Sequence, residues 1–107
     1  MSATLSASRP RIGDVRYVVT WIDRDAMRLS DGEDDLIERL EVAERSRGFA
    51  TMRAAKAWGK ANADKDEYGN PRVEKLTFTQ DDIDIPAYWI RSEYQEWTVG
   101  SWQPLVF

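Results

Sequence analysis

The spacing of hydrophobic and polar positions changes along the chain, and it predicts first a strand and then a helix. Residues 15–23 (VRYVVTWID) are rich in β-branched and aromatic side chains, which is typical of a strand. Residues 51–63 place small and apolar side chains three and four positions apart, which predicts an amphipathic helix. Thr51 is the expected N-cap of this helix. Gly59 is unfavourable inside a helix, so we expect it to allow a close approach to a sheet.

Two further stretches of the second half of the chain are predicted strands. Residues 73–79 and 87–99 combine β-branched and aromatic side chains, and Pro104 confines any last strand to the edge of a sheet. Strict alternation along 87–99 predicts one face with Trp89 and Trp97, and an opposite face with Tyr88, Ile90 and Tyr94.

Residues 36–46 (LIERLEVAERS) fit two patterns. Leu36, Leu40 and Ala43 have helical spacing, whereas Leu40 and Val42 alternate as in a strand. We interpret this stretch as a strand that pairs with the first one, because the following GFAT resembles a strand end that leads into a helix. Residues 24–35 are predicted to be a polar connection.

These elements together predict an α+β fold with a single domain over residues 14–107. The order ββαββ implies one antiparallel sheet of about four strands, with the helix packed on one face. A chain of 107 residues is long enough to bury a core of its own. Residues 1–13 are small and polar, and we expect them to form a flexible tail.

Composition removes most catalytic chemistry. The chain has no cysteine and no histidine, which excludes disulfides, thiolate nucleophiles and the commonest general base and metal ligand. No phosphate-binding glycine loop, nucleophile elbow or zinc-protease motif occurs. We therefore predict a protein that is not an enzyme and that needs no cofactor or metal.

The stretch from Asp64 to Lys75 (DKDEYGNPRVEK) begins like a calcium-binding EF-hand loop. Asp64, Asp66 and Gly69 occupy positions one, three and six, but Tyr68 and Lys75 stand where oxygen ligands are needed at five and twelve. The sequence therefore predicts a turn here rather than a calcium site.

Charge is arranged in blocks within a chain whose net charge is −4. Two acidic clusters are candidate partner-binding sites: Asp31, Glu33, Asp34 and Asp35, then Asp81, Asp82 and Asp84. Rows of carboxylates can imitate phosphates, as in small acidic inhibitors of nucleic-acid machinery, many of which phages encode. This analogy of size and composition predicts a partner with a basic surface, steered by charge.

The last twenty residues hold half of the aromatic side chains, so part of this surface is expected to lie in an interface. Trp, Tyr and Arg are the usual hot spots of such interfaces. The aromatic candidates for partner contact are Tyr88, Tyr94, Trp97 and Trp102.

Two alternatives remain open at this stage. A basic stripe can bind nucleic acid; its members are Arg45, Arg47, Arg53, Lys56 and Lys60. An aromatic face left uncovered can instead pair two copies into a homo-oligomer, such as a homodimer. No stretch has the length and apolarity of a signal peptide or membrane span, which predicts a cytoplasmic protein without a membrane partner.

Overall fold

The apolar residues of the first predicted strand lie at the centre of a single antiparallel sheet. The computed structural model describes residues 9–29, 35–98 and 100–104. Its elements are β1 (Val15–Ile22), α1 (Arg24–Leu29), α2 (Leu36–Ala43), β2 (Glu44–Phe49), α3 (Met52–Ala61), β3 (Arg72–Thr79), β4 (Tyr88–Thr98) and β5 (Ser101–Pro104). The strand order is β2-β1-β3-β4-β5, and every neighbouring pair is antiparallel.

The predicted α+β class with one antiparallel sheet is confirmed, but the finer count differs. Five strands and three helices are present among the described residues, where about four strands and one helix were expected. The segment predicted as a flexible tail is described from residue 9 onward. There, a turn from Arg11 to Asp14 leads into β1, and the Gly13 N–H donates to the Phe78 carbonyl over 2.8 Å.

The strand prediction for residues 36–46 is wrong over its first eight residues. Leu36–Ala43 is a helix, because the Asp35 carboxylate accepts from the Glu38 N–H and caps its first turn. Strand β2 begins only at Glu44. The connection between β1 and this helix also holds α1, whose Asp23 cap accepts from the N–H groups of Asp25 and Ala26.

Helix α3 packs on one face of the sheet and forms the main core. Val19, Ala55 and Val73 are fully buried there, and larger aromatic side chains surround them. The expected cap is present, since the Thr51 hydroxyl accepts from the Ala54 N–H over 3.1 Å. The expected close approach at Gly59 is also confirmed: a Cβ at this position would lie 2.8 Å from the Trp102 ring.

Gly59→Ala is expected to lower the free energy of unfolding by about 1–2 kcal/mol, because crowding against Trp102 outweighs the gain in helix propensity. Chemical denaturation measures the change. In a Trp102→Ala background the crowding is gone, so the same substitution should become neutral or stabilising. A stabilising effect of Gly59→Ala in the wild-type background would contradict the packing described here.

A smaller core lies at the carboxyl end of β1. Ile22, Met27 and Ala43 are buried together, with Leu40 packed against them. The Arg39 guanidinium donates to the Met27 carbonyl over 3.0 Å and joins the two short helices. This cluster fixes α1 and α2 at one end of the sheet, away from the turn that connects β3 to β4.

The Asp66 carboxylate organises the segment that resembled a calcium loop. Its side chain is 1% exposed and accepts from the N–H groups of Ile22 (2.8 Å), Tyr68 (2.8 Å) and Asn70 (3.3 Å). Gly69 turns the chain with a φ of +73°, a conformation that glycine adopts without strain. The segment is therefore a turn, as predicted, and its central carboxylate is occupied by backbone donors.

A bulge in β4 reverses the predicted distribution of aromatic side chains. Lys75 of β3 pairs with Glu93 whereas Leu76 pairs with Arg91, so Ser92 is an extra residue without a register partner. Because side chains alternate along a strand, one extra residue moves the first half of β4 to the opposite face. The strict alternation that placed Trp89 beside Trp97 is therefore wrong, and Trp89 shares a face with Tyr94 instead.

Candidate functional site

The face of the sheet opposite α3 carries aromatic and charged side chains from three strands. The strand register places these side chains together, and we call the surface that they form the open face. It consists of Arg16 and Val18 (β1), Arg72, Glu74, Leu76 and Phe78 (β3), and Trp89, Arg91, Tyr94 and Glu96 (β4). Within the described ranges, α3 packs on the other side of the sheet, whereas α1 and α2 contact this side only at its end, around Ile22 of β1. Most of these side chains are half-buried, while Arg16 and Arg91 are exposed.

Two arginine–aromatic pairs dominate the open face. The guanidinium carbon of Arg16 lies 4.8 Å from the Trp89 ring centroid, and Trp89 contacts Phe78 with a centroid distance of 5.1 Å. The guanidinium carbon of Arg91 lies 4.6 Å from the Tyr94 ring, and its Nη1 is 3.8 Å from Glu74 Oε1. These contacts hold long side chains in defined positions before any partner arrives.

Tyr94 is a half-buried member of the open face. Partial burial raises the pKa of the Tyr94 hydroxyl above its ordinary value; the charge of Arg72 lowers this pKa by a smaller amount, and the charge of Glu74 raises it. The hydroxyl therefore stays protonated throughout the physiological range.

The aromatic side chains predicted to contact a partner do not lie together. Tyr94 is on the open face, whereas Trp97 and Trp102 contact each other on the α3 face, with ring centroids 5.4 Å apart. The Lys60 amine lies 5.9 Å from the Trp97 ring, and Trp102 packs against Gly59. Tyr88 lies at the far end of the same face as Trp97, next to the loop that joins β3 and β4.

The predicted acidic clusters lie apart as well. Asp31, Glu33 and Asp34 fall outside the described residues, and Asp35 serves as the N-cap of α2 near the carboxyl end of β1. The loop with Asp81, Asp82 and Asp84 follows β3, whose end pairs with the start of β1. Helix α2 packs against Ile22 at the carboxyl end of β1, so this loop and α2 belong to opposite ends of the sheet.

The loop over residues 80–87 is ordered by its own side chains. The Tyr88 hydroxyl donates to Asp81 Oδ2 over 2.9 Å, and this hydrogen bond raises the pKa of Tyr88 above its ordinary value. The Asp84 N–H donates to Asp82 Oδ1 over 3.0 Å. Between these carboxylates Ile83 is 89% exposed, so an apolar tip projects from an acidic loop.

Some side chains of the predicted basic stripe contact other parts of the protein, and others are exposed to solvent. The Arg45 side chain donates to the Val42 carbonyl over 2.7 Å and lies 3.7 Å from Asp23. The Arg47 guanidinium lies over the rings of Phe49 and Trp58, at 5.4 and 5.5 Å. On α3, Arg53 and Lys60 are exposed and Lys56 is half-buried.

The residues that sequence reasoning missed are Arg16, Trp89 and Arg91. Arg16 stands far from the other two in sequence, and only the strand order β1-β3-β4 brings it over Trp89. Trp89 was expected on the face of Trp97, because a bulge has no signal in an alternating pattern. The strand composition alone could have marked Arg91, which lies among four aromatic residues of β4.

Among residues 9–29, 35–98 and 100–104, no cluster of acidic side chains could hold a metal ion, and no helix is long and apolar enough to cross a membrane. Comparison with known protein families, with curated proteins and with solved structures finds no match. The open face and its surroundings are therefore the basis for a functional proposal.

Proposed function

We propose that this chain is a non-catalytic protein that binds another protein through the open face of its sheet. The observation that carries the proposal is the pair of arginine–aromatic contacts, Arg16 with Trp89 and Arg91 with Tyr94, on a face opposite the helix. Trp, Tyr and Arg supply most of the binding energy in protein interfaces, and fixed side chains lose less entropy on binding.

The charge pattern of the open face favours a protein partner over a nucleic acid. Arg16, Arg72 and Arg91 alternate with Glu74 and Glu96, whose carboxylates would repel a phosphate backbone. Glu96 accepts from the Asn70 side-chain amide and is thus held in place on this face. Mixed charge around aromatic anchors is typical of protein interfaces, where it fixes the register of the two partners.

The acidic loop over residues 80–87 is expected to attract a basic partner toward one end of the open face. Asp81, Asp82 and Asp84 lie at the end of the sheet next to Trp89, and the whole chain carries a net charge of −4. A partner with basic residues opposite this loop would be attracted over a distance of about one Debye length. The proposal therefore retains a basic partner surface, with the loop for attraction and the open face for contact. An inhibitor or adaptor of a nucleic-acid-handling complex is the concrete version.

The test compares two double variants that change net charge equally on opposite sides of the molecule. Arg16→Glu with Arg91→Glu alters the open face, and Arg53→Glu with Lys60→Glu alters the exposed side of α3. A partner is first captured by wild-type protein from nuclease-treated lysate, then purified, and its affinity for each variant is measured. We expect about 100-fold weaker binding for the first variant and a change within about threefold for the second.

The remaining outcomes separate the alternatives. Capture that occurs only in lysate without nuclease, and that the α3 variant loses, would replace the proposal with nucleic-acid binding through the basic stripe. A concentration-dependent mass in light scattering that the open-face variant abolishes would show that the occupant is a second copy of the chain. Equal affinity of both variants for the purified partner would overturn the proposed face.

A further inference from the structure

A groove at the start of β1 shares Arg16 and Trp89 with the open face and adds side chains from the preceding turn. It has a volume of about 430 Å³ and runs between the start of β1 and the first residues of β4; its lining residues are Arg9, Pro10, Asp14, Val15, Arg16 and Trp89. Volumes of roughly 300–1,000 Å³ are usual for sites that take small organic ligands. Two guanidinium groups, an indole ring and a carboxylate therefore meet in a space of ligand size.

Hydrogen bonds fix the turn that forms one wall of this groove. The Arg11 N–H donates to Asp14 Oδ2 and the Asp14 N–H donates to the Arg11 carbonyl, over 2.8 and 2.9 Å, which closes a tight turn. The turn is attached to β3, because the Phe78 N–H donates to the Asp14 carbonyl over 2.8 Å. Arg9 and Pro10 therefore precede a turn whose position beside Arg16 is fixed. The guanidinium carbon of Arg16 lies 4.8 Å from the centroid of the Trp89 ring.

Each type of lining side chain corresponds to one part of a nucleotide. Guanidinium groups donate two parallel hydrogen bonds to a phosphate, and Arg9 and Arg16 supply two of them. A base is a planar group that stacks on an aromatic ring or on a guanidinium plane, which the Arg16–Trp89 pair presents. One oxygen of Asp14 is taken by the turn, and the other can accept from a ribose hydroxyl or an exocyclic amine.

We propose that this groove binds a nucleoside monophosphate unit, either as a free nucleotide or as one residue of a single strand. An adjoining groove of about 640 Å³ shares Arg9, Pro10 and Asp14 and adds Arg11, so cationic side chains continue beyond the first site. The carboxylates of Asp81, Asp82 and Asp84 at this end of the sheet limit the length of strand that can follow. This inference concerns a ligand other than the protein partner proposed above, although both would contact Arg16 and Trp89.

The test follows the five indole N–H signals of the full chain by NMR, with Trp89 assigned from a Trp89→Phe variant. Titration with adenosine monophosphate is expected to shift the Trp89 signal to saturation with a dissociation constant of about 0.1–1 mM. Arg9→Ala should weaken this binding about tenfold. Arg53→Ala, at an exposed side chain of α3, should leave the binding unchanged within about twofold. Neither substitution touches a buried side chain, so both variants should fold.

Three further titrants define the ligand. A single-stranded octanucleotide that binds more tightly than the monophosphate supports a strand as the source, and equal affinity per nucleotide supports the free nucleotide. Inorganic phosphate or adenosine alone that shifts Trp89 as strongly as the monophosphate would overturn the inference. Absence of a saturable shift with any of the four compounds would overturn it too, without affecting the test of the open face.

Discussion

Asp66→Ala is expected to lower the free energy of unfolding by about 3–4 kcal/mol, a large share of the roughly 5–15 kcal/mol that stabilises a domain. The carboxylate accepts from three backbone N–H groups and is 1% exposed, so its removal leaves buried donors without an acceptor. It also joins the end of β1 to the turn after α3, through the Ile22 N–H. Urea denaturation followed by tryptophan fluorescence measures the loss.

Two substitutions and one ion control this prediction. Asp64→Ala removes an exposed carboxylate two positions earlier and should change stability by less than about 0.5 kcal/mol. Asp66→Asn keeps one acceptor oxygen, so its loss of stability should lie between those of Asp66→Ala and Asp64→Ala. Millimolar calcium should leave the melting temperature of the wild type unchanged, because the Asp66 carboxylate is already engaged by backbone donors. A calcium-dependent rise in melting temperature would show that the turn is a metal site after all.

Trp58→Ala is the second substitution with a large expected effect, a loss of about 3 kcal/mol, or a fall in melting temperature of about 12–24 °C. Trp58 lies on α3 with its ring centroid 4.8 Å from that of Trp21 and 6.0 Å from that of Phe49. The cationic groups of Arg47 and Lys65 lie over the same ring, at 5.5 and 5.8 Å. Thermal denaturation measures the change.

The matched controls separate packing from helix propensity. Alanine is a better helix former than tryptophan, so propensity alone would make Trp58→Ala slightly stabilising. Trp58→Phe retains an aromatic ring between its neighbours and should cost about 1 kcal/mol. Tyr68→Ala, at a side chain that is 58% exposed, should cost less than about 0.5 kcal/mol. If Trp58→Ala were as mild as Tyr68→Ala, the aromatic cluster would not be the main support of α3.

The elements with strong local signals were predictable from the sequence. Helix α3 has a threonine cap and an alanine-rich interior, and β1, β3 and β4 have the composition of strands, so local preference and tertiary packing agree. The turn at Asp66 was also predictable, because a failed ligand pattern around Gly69 and Pro71 leaves a turn as the simple interpretation.

Segments with two compatible patterns were not predictable. In residues 36–46 the helical spacing of Leu36, Leu40 and Ala43 competes with alternation, and the choice depends on burial against Met27 of α1. That contact is tertiary and α1 itself is only six residues long, too short for a clear period. The strand prediction for this segment was wrong because Asp35 was interpreted as part of an acidic cluster and not as the N-cap of a helix.

The open face could not be predicted because it is assembled by strand pairing. Each of its arginines looks solitary in the sequence, and the last twenty residues are poor in cations, which made an arginine–aromatic face seem absent. Antiparallel pairing of β3 with both β1 and β4 brings Arg16 to Trp89. No local pattern contains that information, since it depends on the order of the strands.

The bulge at Ser92 makes the composition of the open face depend on strand register as well as on side-chain type. If Ser92 entered the ladder, the residues of β4 before it would change faces, and Trp89 would leave the open face although every aromatic residue is retained. Deletion of Ser92 would instead give a regular strand with Trp89 and Tyr94 still on the same face. A relative with the same binding surface would therefore have these two aromatic positions an even number of residues apart, or an odd number apart with a bulge between them.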